Sequence, residues 1–321
     1  MILGLVEHDR GKLNPLSLEM LTFARRLSAQ MGVPLEAVLV DPGAGALAAG
    51  LGAYGASVTH LAQHPQLTDY SPEAWAQSVV ELIGALKPEA VLAGGSERGN
   101  EVMAHVAART DLPLAANTLE AQPGEAFVVT RMRWGGSLLE EARLTGAVKL
   151  FTVAPHALVA EAAASTIECA LKPFTPSLSA KDLRVQVSER IEATPGKVSL
   201  AEAAVVVGGG RGVGSAEGFK LLEELAGLLD GTVGCSRAVT SLGWRPHLDQ
   251  VGQTGTRIAP EIYIACGISG AIQHMVGCKA AKHILAINTD PEAPIVQHAD
   301  YAIIGDLKEV VPAISAALRA K

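Results

Sequence analysis

Short apolar runs alternate along this chain with longer stretches whose apolar residues recur every three to four positions. In the first half, residues 2–7 read as a strand. Residues 15–30 place Leu18, Leu21 and Leu27, with Met31 just beyond, on one face and Arg25 and Arg26 off it, a helix opened by Asn14-Pro15. Residues 36–40 predict a second strand, 47–54 a short Gly-interrupted helix and 57–61 a third strand. Ser71-Pro72-Glu73 opens a helix through Leu86 that Lys87-Pro88 ends. Residues 90–94 form a strand leading through Gly95-Ser96-Glu97-Arg98-Gly99-Asn100 into a helix over 101–109. This alternation predicts an α/β domain with a doubly wound parallel sheet.

From Phe127 the rhythm changes. Residues 127–132, 137–144 and 148–153 read as short strands joined by Trp134-Gly135-Gly136 and Thr145-Gly146, an antiparallel excursion on the first domain. Pro173, Pro176, Ser177 and Ser179 mark a loop, 184–189 a strand, and Ala193-Thr194-Pro195-Gly196 a linker. The domains are therefore assigned as 1–195 and 196–321. In the second, 203–207 is a strand closing on Gly208-Gly209-Gly210-Arg211-Gly212-Val213-Gly214, and 215–229 is a helix with Leu221, Leu222, Leu225 and Leu228 on one face. Residues 282–288 and 301–305 are further strands, and 307–318 is a closing helix, so the second domain is also doubly wound.

Residues 251–274, VGQTGTRIAPEIYIACGISGAIQH, organise that domain. Two small-residue turns, Gly252-Gln253-Thr254-Gly255 and Gly267-Ile268-Ser269-Gly270, flank a buried-strand run at 261–266, and 271–276 opens a helix. A strand, a Gly/Ser turn and a helix start present free backbone N–H groups to an anion. Gln253, Thr254, Ser269, Gln273 and His274 cluster around these turns and suit a phosphate together with a heteroaromatic ring. Either turn alone reads most simply as a connection; two turns with separate polar sets point to a site. Gly94 to Asn100, a strand end followed by Gly-Gly-Ser, also stands where such a sheet binds anions, and a second nucleotide site is weighed there against a structural or vestigial turn.

The glycine loop after Val207 misses the dinucleotide fingerprint: six positions from Gly208 stands Val213, and from Gly210 stands Ser215. No acidic residue ends the next strand, where Ser236 and Arg237 stand instead, which disfavours a nicotinamide dehydrogenase. Arg211 can pair with a pyrophosphate or stand as an exposed loop arginine. Arg237, a permanent cation at a strand end, falls in the ligand crevice of such a sheet, with a salt bridge at the sheet edge as the plainer alternative. Asn288 follows a strand and can meet a ribityl or ribose hydroxyl; Asp306 can accept from an adenosine hydroxyl or cap the last helix.

Composition narrows the function classes. At 49% hydrophobic and 18% charged the chain is that of a globular protein. Its net charge of −7 and 4% aromatic content argue against nucleic-acid binding. Cys169, Cys235, Cys266 and Cys278 form no CxxC pair and no zinc-ligand spacing with histidine, and read as reduced thiols. No apolar run approaches the ~18 residues of a membrane span. The opening MILGLVEHDRGKL lacks a signal-peptide core or an Arg-rich leader, so a cytoplasmic location is expected.

Taken in order, Gly209-Gly210-Arg211-Gly212, Ser236-Arg237-Ala238, Val251-Gly252-Gln253-Thr254-Gly255, Ala259-Pro260-Glu261-Ile262-Tyr263, Gly267-Ile268-Ser269-Gly270-Ala271-Ile272-Gln273-His274, Ala286-Ile287-Asn288, Asp290-Pro291-Glu292-Ala293-Pro294 and Ala299-Asp300-Tyr301 resemble the electron transfer flavoprotein α-subunit (FixB) family. The likeness is close from Leu200 onward. It is looser before, resting on Glu7-His8-Asp9, Lys12-Leu13-Asn14-Pro15 and the strand order, and it departs at 131–144, where the family's arginine-proline run is absent. The resemblance implies an FAD-binding, Rossmann-like (DHS-like) second domain and a heterodimer with a β subunit that carries AMP, the first domain making the subunit contact. It implies that FAD is lined by Arg211, Ser236, Arg237, Val251, Gly252, Gln253, Thr254, Ser269, Gly270, Ala271, Ile272, Gln273, His274, Asn288, Asp306 and Leu307. Among these Arg237, Thr254 and His274 are expected to face and tune the flavin, Thr254 at N5 or O4. The implied function is an electron carrier of fatty acid β-oxidation, passing electrons singly from acyl-CoA-type dehydrogenases to a membrane quinone oxidoreductase, without membrane insertion. A non-redox nucleotide-binding regulatory module and an NADH-using bifurcating member of the same family are the alternatives.

Overall fold

The computed structural model describes residues 1–136, 138–189 and 198–320, so the proposed linker and the boundary near residue 195 lie outside the described residues. The chain divides into two compact units, Met1–Arg190 and Ile191–Lys321.

The first unit runs β1 (Ile2–Leu5), a small hairpin β2 (His8–Asp9) and β3 (Lys12–Leu13), α1 (Pro15–Met31), β4 (Leu35–Val40), α2 (Ala48–Leu51), β5 (Ala56–Ala62), α3 (Pro72–Leu86), β6 (Ala90–Gly94) and α4 (Glu97–Thr110). There follow β7 (Leu114–Gln122), β8 (Phe127–Arg133), β9 (Leu138–Leu144), β10 (Lys149–Val153) and β11 (Ala170–Phe174). The main strands form one nine-stranded sheet in the order β11-β5-β4-β1-β6-β10-β7-β8-β9. Two apolar clusters, one holding Met20, Leu21 and Phe151 and the other Trp75, Val79 and Leu150, form its core. Local chemistry fixes the helix ends. The Asn14 side chain accepts from Leu16 N at 2.9 Å with Pro15 at the first helical position, and α1 stops at Gly32 with φ 66°.

Three expectations are corrected in this unit. Residues 148–153 do not belong to the antiparallel excursion: β10 pairs parallel with β6 and β7, in the interior of the sheet. Its nearly uniform burial is the mark of a parallel strand covered on both faces. Pro173 is not in a loop but in β11, an edge strand, where a missing N–H is tolerated. Residues 184–189 are not a strand; the Ser71 hydroxyl ties this segment down, donating to Val185 O at 2.8 Å. Strand β7 escaped the sequence reading because Asn117 takes φ 56° and the register shifts around it, which destroys alternation. Beyond it β8 pairs antiparallel with β7, and β9 antiparallel with β8.

The turn after β6 consumes its own polar groups. Ser96 caps α4 by accepting from Gly99 N at 2.8 Å and donates to the Glu7 carboxylate. Asn100 donates to Gly95 O at 3.0 Å and accepts from Thr152 at 2.7 Å. These bonds give the turn a structural role.

The second unit runs β12 (Val205–Gly209), α5 (Phe219–Leu228), β13 (Thr232–Cys235), α6 (Arg237–Ser241), β14 (Ile262–Cys266), α7 (Ile272–Cys278), β15 (His283–Asn288), α8 (Pro294–Gln297), β16 (Tyr301–Ile304) and α9 (Leu307–Arg319). Its five strands are parallel, in the order β13-β12-β14-β15-β16, so chain direction through the sheet reverses between β12 and β14. Helices α5 and α9 pack with Val207, Ile264 and Ile287 on one side, while Val206, Tyr263, Ala265 and Ala286 join a second cluster. Cys235, Cys266 and Cys278 are free and buried, and burial pushes their thiols up to about 12.

Candidate functional site

The reversal between β12 and β14 opens a crevice at the carboxyl ends of the strands, the usual ligand position in such sheets. Its walls approach closely because they are glycine. A Cβ on Gly210 would stand 2.1 Å from Gly267 O, and one on Gly212 would stand 2.7 Å from Gly267 Cα. Backbone bonds lock the two loops together, Gly210 N to Cys266 O at 2.9 Å and Gly212 N to Gly267 O at 3.1 Å. Over them lies a cleft of about 390 Å³ lined by Arg211, Ser236, Ser269, Asn288, Asp306 and Leu307 among the predicted residues. Ile268, Thr289, Asp290 and Ala293 also line it and were not anticipated.

A second cleft of about 420 Å³ is lined by Arg237, Thr240, Ser241, His247, Gln250 and Thr254. Consecutive residues at the start of α6 line both, Ser236 and Ala238 the first and Arg237 the second. Arg237 and Arg211 are both exposed and neither has an ion-pair partner among the described residues. The salt bridge weighed for Arg237 is therefore absent there. The cation engaged nearby is Arg245, which bridges Asp249 at 2.7 Å and Glu223 and lies 5.5 Å over the Phe219 ring. It clamps the segment between α6 and Gln250, a role visible only in three dimensions.

Not every predicted residue reaches a cleft. Gln253, Ala271, Ile272 and Gln273 are exposed and line neither cleft, whereas Val251, Gly252 and Gly270 are buried. Gln253 N bonds to Gln273 O at 2.7 Å, joining the two turns. Close packing of Gly277 on Gly252, where an added Cβ would meet Gly252 N at 2.3 Å, seats α7 against the first turn. His274, expected to face the ring, is turned into the core, 7% exposed with Nε2 2.8 Å from Tyr263 Oη. Burial lowers its pKa to about 4, the Val251 backbone opposing the shift in part, so the imidazole is neutral at pH 7. Its buried Nδ1 has no partner of hydrogen-bond geometry among the described residues.

Asn288 is partly committed: Nδ2 donates to Ile268 O at 2.9 Å and Oδ1 accepts from Asp290 N at 3.1 Å, which shapes the cleft wall. Asp306 takes the capping role, Oδ1 accepting from Lys308 N at 2.9 Å at the start of α9, and the residue also lines the cleft. Ser236 makes no side-chain cap bond at α6, so its hydroxyl is available to a ligand.

These features suit an extended dinucleotide with a flat ring. The glycine-walled cleft and Arg211 fit phosphates, Asp306 and Asn288 fit sugar hydroxyls, and the Arg237–Thr254 cleft fits a heteroaromatic ring. Among the described residues no group of His, Cys, Asp and Glu is placed to hold a metal, and no helix is long and apolar enough to cross a membrane.

The Electron transfer flavoprotein domain family matches residues 2–177, and the Electron transfer flavoprotein FAD-binding domain family matches residues 199–279. The chain is 35% identical to the electron transfer flavoprotein subunit alpha of Thermoanaerobacterium thermosaccharolyticum over 311 residues, covering 96% of this chain and 94% of that one. It is 38% identical to Protein FixB of Bradyrhizobium diazoefficiens, covering 98% and 88%. With the subunit alpha of Mycobacterium leprae identity is 36%, covering 99% and 98%. Among solved structures, a putative thiamin diphosphate-dependent enzyme from Mycobacterium smegmatis aligns at 12% identity and a TM-score of 0.26 over 92% of this chain and 53% of that one, too weak to carry an argument. The two domain matches and the near-full-length relatives together place the chain in the electron transfer flavoprotein α-subunit family, flavoproteins of electron transport that pair with a β subunit.

Proposed function

We propose that this chain binds FAD along the carboxyl edge of its second sheet and relays electrons, as one half of a heterodimer, from acyl-CoA-type dehydrogenases to a quinone oxidoreductase at the membrane. The observation that carries the reading is the pair of clefts lined by consecutive residues of α6, one glycine-walled beside Arg211 and one beside Arg237 and Thr254. Bound FAD would supply the one- and two-electron chemistry of the relay. Arg211 and Ser236 meet the pyrophosphate, and Asp306 and Asn288 the sugar hydroxyls. Thr254 meets the ring edge at N5 or O4, and Arg237 offers positive charge where the reduced ring gathers negative charge. The neutral His274 buttresses the turn from beneath, fixing α7 through Tyr263.

The donors, the quinone acceptor, the AMP on the β subunit and a cytoplasmic location belong to the same reading and are supported by family membership. The first unit is assigned the subunit contact. The exposed apolar side chains of Trp134, Leu138 and Leu139, at the β8–β9 hairpin, support it. Visible spectra of the purified heterodimer before and after dithionite test the proposal. A yellow protein with one FAD per dimer that bleaches on reduction is expected. A colourless, folded heterodimer that takes up no added FAD refutes it. Transfer to a dehydrogenase–quinone system separates the relay from a regulatory module, which would bind FAD and pass no electrons.

A further inference from the structure

Three polar side chains form a chain along the wall of the Arg237 cleft. Gln250 is 2% exposed, yet both ends of its amide are engaged. Its Oε1 accepts from Thr240 Oγ1 at 2.8 Å, and its Nε2 donates to Thr254 Oγ1 at 3.0 Å. The backbone is held too, Gln250 N to His247 O at 3.0 Å and Thr256 N to Gln250 O at 2.7 Å. In this arrangement the Thr254 hydroxyl proton has no acceptor among the described residues and faces outward as a donor.

Thr240 has a second acceptor in reach, Arg237 O at 2.9 Å. A threonine hydroxyl carries one proton, so it serves one of these acceptors fully. If the proton goes to Arg237 O, the amide turns over. Nε2 then donates to Thr240, and Oε1 accepts from Thr254. Thr254 gives its proton inward and shows only lone pairs to the cleft. The same heavy-atom positions thus support two polarities, each satisfying the amide at both ends.

An oxidised flavin presents its ring nitrogen N5 as an acceptor, and the fully reduced ring presents an N–H there after taking a proton from solvent. The hydrogen-bonding demand at the ring edge therefore reverses on reduction. We propose that Gln250 is a positioning residue whose amide orientation makes Thr254 a donor to the oxidised ring and an acceptor from the reduced one. This inference rests on the FAD reading above. A buried amide suits the task because it carries a donor and an acceptor on one rigid plane and reverses them without moving the backbone.

The test uses the FAD-loaded heterodimer and reduced-minus-oxidised infrared difference spectra with isotope-labelled glutamine. The wild type is expected to show a shift of one glutamine side-chain amide band, assigned to Gln250 by its loss in Gln250→Leu. The band pair should vanish in Thr254→Val, which leaves the amide intact but cuts the link to the ring, and should return in Thr254→Ser. Gln250→Leu should also weaken FAD binding about fivefold in both redox states, the worth of one neutral hydrogen bond. A wild type without a glutamine band, or a band that persists in Thr254→Val, overturns the proposal. Thr254 is exposed, so that variant remains informative if Gln250→Leu fails to fold. A wild-type heterodimer that binds no FAD refutes the underlying reading and this inference with it.

Discussion

Removing the cation of Arg237 tests the electrostatic core of the proposed function. The guanidinium lines the second cleft and has no ion-pair partner among the described residues, so no bridged carboxylate neutralises it. Two unit charges ~4 Å apart attract by about 4 kcal/mol at an effective dielectric of 20 and about 1 kcal/mol at the dielectric of water. Arg237 is exposed, which moves the value away from the upper limit. At about 1.4 kcal/mol and ~59 mV per tenfold for one electron, Arg237→Ala should lower the potential of the first, charge-creating electron by roughly 0.04 to 0.17 V. Arg237→Lys should recover most of the shift, since it restores the charge without the planar fork. The assay is a potentiometric titration of the heterodimer with FAD content checked beforehand. Repeating it from ~0.01 M to ~1 M salt, where the Debye length falls from ~30 to ~3 Å, should shrink the difference between wild type and variant. If both potentials are unchanged while FAD stays bound at full stoichiometry, the assignment of Arg237 to the ring is wrong. A shift indifferent to salt would point to a packing change instead.

Other consequences are as direct. Folding lowers the His274 pKa from 6.5 to about 4, so its contribution to stability is complete above about pH 6.5 and is lost as pH falls toward about 4. That is roughly 3 kcal/mol over the window at ~1.36 kcal/mol per unit, and urea unfolding should show a flatter pH dependence in His274→Asn than in the wild type. Asp306→Asn keeps an acceptor for Lys308 N and should preserve stability while weakening FAD binding roughly tenfold; Asp306→Ala should in addition cost about 1 kcal/mol of stability from the lost cap. Equal FAD affinity in wild type and Asp306→Asn would leave the carboxylate with the capping role alone. Gly210→Ala should destabilise the second unit by about 1–3 kcal/mol and release FAD on desalting, because the new methyl group would collide with Gly267 O.

The residues themselves determined most of the second unit. The glycine loops, the apolar run at Ile262–Cys266 and the Asp306 cap lie within a few residues of the structure they specify, so local pattern was enough. Arg211, Ser236, Arg237, Thr254, Ser269, Asn288, Asp306 and Leu307, named from the family resemblance, line the two clefts because the strand ends and loops of a parallel sheet converge on one edge. Tertiary structure decided whatever depended on distant partners. Strand β10 lies between β6 and β7, partners some 35 to 60 residues earlier in the chain, and nothing in Lys149–Val153 names them. His274 turns inward onto Tyr263 of β14, and Gln250 is engaged because the helix that starts at Arg237 brings Thr240 beside it. Such choices turn on which distant group a buried polar atom can reach, since a buried donor or acceptor left alone costs about 1–3 kcal/mol.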